Sequence, residues 1–259
     1  MTLRRFACLF SLILLLALPA SAQASGRVAS ATGVKQVSGK TLYVDVVVAV
    51  PVGQTDRQAT DKALSEQGAS RRAKPPWAGG SGGGGGGGGE QFFYTGLKWS
   101  PPFVTQNYNP AGQPFDAKAA LTNTYSDWSN LPDSAYDIAY GADTTRCPSL
   151  VQQCPGAQVN DPYNDVGWLA LGGTTLGVTW YTTGSDPEAD MALNTRFTWK
   201  NTCGSSGSGY DVETVFLHEN GHVAGLDHAK GTDSVMYPSY QSPRCALFDY
   251  DKRSIANLY

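Results

Sequence analysis

The sequence predicts an α+β fold organised as one main domain. Three observations carry this: a valine-rich extended segment at 41–50, several short extended segments broken by Gly, Pro, Asn and Asp, and helical apolar spacing that recurs only at intervals. Strands that do not alternate regularly with helices argue against a doubly wound parallel sheet. A chain of 259 residues with 41% hydrophobic content can bury one sizeable core with a small unit beside it.

The chain opens with Arg4 and Arg5, an apolar run at 6–18, Pro19 and the small residues Ala20-Ser21-Ala22. This is the order of a secretory signal peptide, and the run is shorter than the ~20 residues needed to cross a bilayer. Residues 1–24 are therefore expected to be removed, leaving a secreted, extracellular chain with no membrane anchor. Residues 25–78 read as a small βα leader, with a strand at 41–50 and a helix at 55–67 that begins Thr55-Asp56 and stops at Gly68. Residues 79–89 are glycine except for Ser81 and read as a flexible linker.

The main domain is expected at 90–259. Segments 92–99 and 103–108 read as extended, and 116–128 as a helix carrying Ala119, Ala120, Leu121, Tyr125 and Trp128 at helical spacing. Strands follow at 136–140, 166–171, 175–182 and 189–195, then helices at 212–224 and 249–258. Residues 27–74 hold eight Lys or Arg against four Asp or Glu, whereas 90–259 hold nine against eighteen. A basic leader beside an acidic body suits a prosegment that docks on its neighbour, and the acidic body argues against a nucleic-acid partner.

Cys8 falls in the segment to be removed, which leaves Cys147, Cys154, Cys203 and Cys245. Three pairings of these four are possible, and Cys147–Cys154 with Cys203–Cys245 is preferred because the first closes a short local loop. Their spacing does not match a structural zinc knuckle.

The chemistry lies in His218-Glu219-Asn220-Gly221-His222-Val223-Ala224-Gly225-Leu226-Asp227-His228. On a helix, positions i and i+4 share a face, so His218 and His222 can hold one ion with Glu219 beside it. Gly225 can take the positive φ that turns the chain and returns His228 as a third ligand. Three neutral imidazoles with a fourth position left to water suit catalytic Zn2+. The chain has 3 histidines in all, and every one falls in this stretch.

This stretch resembles the metzincin metallopeptidases, and within them the matrixins. Ser234-Val235-Met236-Tyr237-Pro238-Ser239-Tyr240 is similar to the Met-turn and its Pro-x-Tyr wall, and 251–259 to the last helix of matrixin catalytic domains. The segment 188–194 is similar to the last sheet strand of that family. The resemblance implies a shallow cleft between a twisted mixed sheet with two helices above and a smaller part below, with Met236 as an apolar floor beneath the metal. It implies an edge strand around Leu176, Gly177, Val178 and Thr179 that pairs with an extended peptide, and a pocket lined by Pro238 and Tyr240.

Function is then expected to be endopeptidase hydrolysis of an extracellular protein or peptide by a monomer, with Glu219 as the base. A secreted zinc-containing binding module and a hydrolase of non-peptide amides are the alternatives. Structural Ca2+ is a further expectation, from the oxygen-rich loops at Asp161, Asn164, Asp165, Asp186 and Glu188 and from the resemblance. One departure stands out. Residues 25–89 contain no cysteine to block the metal, so steric cover or a carboxylate from Asp45, Asp56, Asp61 or Glu66 would have to do so.

Overall fold

The computed structural model describes residues 24–73, 90–151, 154–159, 161–201, 203, 208–240 and 242–259. The expected signal peptide, apart from its last residue, and the glycine linker lie outside the described residues. Two strands open the described residues, β1 (Ala24–Val37) and β2 (Lys40–Pro51), followed by α1 (Asp56–Glu66) and the short β3 (Ser70–Arg71). Beyond residue 90 come β4 (Phe103–Asn109), α2 (Lys118–Ser129), β5 (Asp137–Asp143), β6 (Asp165–Leu169), β7 (Thr175–Tyr181) and β8 (Ala189–Asn194). The chain ends with β9 (Trp199–Lys200), β10 (Tyr210–Asp211), α3 (Val212–Val223), β11 (Ser239–Tyr240) and α4 (Asp249–Leu258).

Among the described residues a mixed sheet runs β11-β1-β2-β7-β8-β6-β4-β5, with β3 also on β1, and β9 pairs with β10 apart from it. The fold is α+β as expected. The segments at 41–50, 55–67 and 212–224 become β2, α1 and α3 with ends shifted by a residue or so. The stretch 92–99 stays out of the ladders except for one bridge, Tyr94 with Leu226.

The valine run of β2 is buried on both faces because the strand lies between β1 and β7. Leu42, Val44, Val46, Val48 and Val50 pack in one cluster with Ala59, Ala63 and Leu64 of α1 and with Val178, Trp180 and Ala192. Val47 and Ala49 join the larger cluster on the other face, where Trp128 of α2 and Val215, Phe216 and Leu217 of α3 lie. Thr55 caps α1 reciprocally with Gln58, whose side chain accepts from the Thr55 N–H at 2.9 Å.

The sheet corrects one expectation. β7 is not an edge strand in the intact chain: β2 pairs antiparallel along it, from Tyr43 opposite Tyr181 to Val47 opposite Gly177. Leu176 and Val178 are both 0% exposed, so their side chains belong to the core and do not line an open pocket. The two cysteine pairs are bridged, Cys147 to Cys154 and Cys203 to Cys245.

Candidate metal centre

Helix α3 starts at Asp211, whose carboxylate accepts the Thr214 N–H at 2.8 Å and so satisfies one free amide of the first turn. The helix is anchored to α2 by two side-chain bonds. Trp128 Nε1 donates to the Leu217 carbonyl at 3.0 Å, and Asn220 Nδ2 donates to Thr124 Oγ1 at 2.7 Å. These fix the rotation of α3, and with it the face that carries His218 and His222.

The helix ends where the sequence asks it to. Gly225 has φ +95°, and a Cβ there would lie 2.3 Å from the Leu97 carbonyl oxygen. The Leu226 N–H bonds back to Gly221 O at 2.9 Å, closing the left-handed cap that sends the chain toward His228.

The first two imidazoles are fixed through their outer nitrogens. Nδ1 of His218 faces the Val235 carbonyl at 2.7 Å and Nδ1 of His222 the Leu226 carbonyl at 2.8 Å. Both acceptors are carbonyls, so each Nδ1 carries a proton and each Nε2 turns a lone pair inward. The two Nε2 atoms stand 3.2 Å apart. Tetrahedral ligation at about 2.0–2.1 Å spaces ligand nitrogens by about 3.3–3.4 Å, so this separation fits one shared zinc ion. His228 completes the cluster, its ring centre 4.7 Å from that of His222 and 5.3 Å from that of His218.

A fourth residue joins them. Asp45 of β2 is fully buried, with Oδ1 3.4 Å from His222 Nε2 and Oδ2 3.6 Å from His228 Nε2. Ligand atoms of Asp45, His218, His222 and His228 all lie within 4.8 Å of one another. The Thr32 hydroxyl donates to Asp45 Oδ2 at 2.7 Å, and the Ser30 hydroxyl sits 2.8 Å from His228 Nε2.

Glu219 is also fully buried. The Thr179 hydroxyl donates to its Oε2, while Oε1 has no hydrogen-bond partner. Burial pushes Glu219 up to about 8, with the Asp45 charge adding to the shift. Burial likewise lowers His218 well below the usual imidazole range, and it lowers His228 too. Burial opposes charge on His222, yet without a metal the Asp45 and Glu219 carboxylates prevail and push it up to about 9, and a metal ion at Nε2 would displace that proton. Asp45 itself resists burial and is held below the carboxylate range by His222 and His228. The pocket thus gathers inward-facing lone pairs and carboxylate oxygens that call for a cation, and the donor set of three imidazoles suits zinc.

Buried Met236 packs against Gly221 of α3, where a Cβ would come 2.2 Å from its sulfur. Its turn is held by a residue the sequence reading took only as the start of a helix. Buried Asp251 accepts from the Ser234 hydroxyl, from Val235 N at 2.9 Å and from Phe248 N at 3.0 Å. Its spacing from Ser234 gave no periodic or motif signal.

Of the four acidic residues of the leader, Asp45 alone meets the histidines. Asp56 pairs with Arg27 at 2.8 Å, Asp61 with Arg71 at 2.5 Å, and Glu66 lies against Gly172 and Gly173. The expected pocket wall is covered on its backbone edge: β1 pairs with β11 through Val28 with Tyr240 and Ala29 with Ser239, and Ser30 N donates to Pro238 O at 2.7 Å. A cleft of about 440 Å³ remains beside His228, lined in part by Arg71, Arg72, Asp227, Lys230, Tyr237 and Pro238. The oxygen-rich loops bond to main chain: Asp161 N donates to Glu188 Oε1 at 3.1 Å and Asp165 N to Asp190 Oδ1 at 2.6 Å. Among the described residues, no helix is long and apolar enough to cross a membrane.

Residues 169–259 match the family model described as Matrixin. Karilysin from Tannerella forsythia is 37% identical over 54 residues, which are 21% of this chain and 11% of that protein. Matrix metalloproteinase-26 from Homo sapiens is 27% identical over 169 residues, 62% of this chain and 59% of that protein. The chain therefore spans less than two thirds of the length of either relative.

Proposed function

We propose that this chain, whose residues 169–259 match the matrixin family, is an exported zinc endopeptidase of that family that cleaves peptide bonds in extracellular proteins. The observation that supports this best is the convergence of the three imidazoles with the unpartnered Oε1 of buried Glu219. Zinc held by His218, His222 and His228 would supply Lewis acidity for the scissile carbonyl and for a water molecule.

The remaining steps belong to the chain. Glu219 takes the proton of the attacking water at Oε1 while the Thr179 hydroxyl holds Oε2 and fixes the orientation of the carboxylate. The carboxyl holds that proton within reach of the nitrogen of the scissile bond. Glu219 then donates the proton to this nitrogen, which leaves as an amine. Once β2 is out of the way, the β7 backbone offers an extended substrate an edge to pair with, and Pro238 and Tyr240 line the pocket beyond the cut bond. The signal-like amino terminus and the two disulfides support export. Ca2+ in the loops around Asp161, Asn164, Asp165, Asp186 and Glu188 remains part of the proposal on family grounds, with a chelator-sensitive melting temperature that calcium restores as its check.

The test combines metal analysis with proteolysis. One zinc per chain is expected, lost in His222→Ala. Casein hydrolysis is measured on the purified chain and after limited cleavage between Arg72 and Glu90. Glu219→Ala should retain zinc and lose at least ~10²-fold in rate. Casein hydrolysis that persists unchanged in Glu219→Ala, or zinc that persists in His222→Ala, rules the reading out.

A further inference from the structure

We infer that Tyr181 is a specificity residue of the cleft: its ring is a stacking platform for an aromatic side chain of the substrate, on the amino-terminal side of the bond that is cut. This deepens the peptidase reading, on which it rests, by naming a class of substrate for the same site.

The register of β2 on β7 places that side chain. On the face of the sheet that carries the metal centre, Val47 stands opposite Gly177, Asp45 opposite Thr179 and Tyr43 opposite Tyr181. The middle pair lies at the chemistry, because Asp45 is beside His222 and His228 and the Thr179 hydroxyl donates to Glu219. Gly177 is close to it as well, since a Cβ there would lie 3.6 Å from Glu219 Oε1. Tyr43 and Tyr181 are two residues along their strands from this point, a step of about 7 Å.

The two rings are stacked, with centres 5.2 Å apart and planes 7° from parallel. Aromatic pairs at such distances attract beyond the area they bury. The two partners are not equivalent. Tyr181 is fully buried in the main core cluster, so its ring is a fixed surface, whereas Tyr43 is half-buried and is laid on that cluster from β2. The Tyr181 hydroxyl is buried without a hydrogen-bond partner, which leaves the ring face as its one specific contact with β2. The Arg72 guanidinium lies over Tyr43, 5.1 Å from its ring centre, so in the intact chain this subsite is filled by the leader's own residues.

A peptide that takes the place of β2 and keeps its antiparallel direction lays a side chain on Tyr181 where β2 lays Tyr43. That residue comes two before the one that takes the place of Asp45 beside the metal. The cut bond flanks the latter, so the aromatic residue is the second or third before the bond.

The experiment uses the zinc-loaded chain after limited cleavage between Arg72 and Glu90, with quenched peptides built on one bond that it cuts in casein. Tyrosine, cyclohexylalanine and alanine are walked in turn through the positions on both sides of the bond. Cyclohexylalanine keeps the size and apolarity of an aromatic residue without its π face. At the second or third position before the bond, tyrosine should exceed cyclohexylalanine by about 3–10-fold in kcat/KM, the worth of one aromatic pair, with the gain in KM rather than in kcat. Tyr181→Phe removes only a hydroxyl that has no partner and should keep this ratio, and Tyr181→Leu should abolish it. A wild-type chain that cuts the series without such a ratio, or shows it only after the bond, overturns the inference and leaves the peptidase reading standing. That outcome needs no variant, so the test stays decisive where Tyr181→Leu does not fold. A ratio that survives in Tyr181→Leu overturns the inference as well. A zinc-loaded wild-type chain that cuts neither casein nor any peptide overturns both.

Discussion

Asp251 joins the final helix to the turn at 234–236, whose Val235 carbonyl meets His218, and its removal should be felt at both. In Asp251→Ala the Ser234 hydroxyl and the Val235 and Phe248 amides all lose their acceptor. Each orphaned buried donor costs about 1–3 kcal/mol, so three give about 3–6 kcal/mol after allowing for partial rehydration of Phe248, which is less buried than the others. The damage spreads because Ser234 Oγ also accepts the Met236 N–H at 2.9 Å, while the Val235 carbonyl orients His218. Urea unfolding should therefore show a loss of about 3 kcal/mol or more, and competition with a zinc chelator should show affinity reduced by about 10–100-fold. Asp251→Asn keeps an acceptor at one oxygen and turns an NH2 toward a donor at the other, so its cost should be intermediate. A loss below about 1 kcal/mol in Asp251→Ala, with zinc affinity unchanged, would refute the view that this carboxylate holds the turn.

Other outcomes follow from single contacts. Gly225→Ala combines the positive-φ penalty of about 1–2 kcal/mol with a Cβ placed against the Leu97 carbonyl, so zinc affinity should fall along with stability by calorimetry. Burial and the neighbouring carboxylates raise Asp190 well above its ordinary value. A raised carboxyl favours folding below its unfolded pKa of about 3.9 and loses that contribution as pH climbs through the folded value. Asp190→Asn should therefore flatten the decline of melting temperature between about pH 4 and neutrality, and an unchanged slope counts against the assignment. Removing zinc with a chelator should lower the melting temperature of the wild type more than that of His222→Ala, because only a chain that binds the metal gains from it.

Much of the site was legible because ligand spacing is a local property. His218, His222, Gly225 and His228 are placed by one helix and one turn, and both have sequence signatures. Strand β2 was legible for a similar reason, since a valine run between turn residues has few alternatives. β1 was not. Its residues Ala29, Ser30, Ala31, Thr32 and Gly33 are small and mixed, and what makes them a strand is pairing with β2 and β11, which no local pattern encodes. The same limit applies to Asp45. The sequence narrowed a blocking carboxylate to Asp45, Asp56, Asp61 and Glu66, and only the register of β2 on β7 separates the first from the rest. The edge that the resemblance implied around 176–179 is occupied by β2 for that reason too: a strand can be recognised from its side chains, but its neighbour cannot. Asp251 went unnoticed because a buried carboxylate serving backbone donors looks, in sequence, like any acidic residue in a first helical turn.

The Cys203–Cys245 bond joins residues 42 apart in sequence, and between them lie all three histidines, Glu219, Gly225 and Met236. The three histidines and the base are thus threaded on a single covalent ring. Closing a ring of that length removes about 4 kcal/mol of freedom from the unfolded chain. Reduction should accordingly loosen the metal centre as a whole, with zinc released at a lower temperature than from the oxidised protein. An oxidising compartment would then act as an assembly condition for the catalytic apparatus as well as a place to work.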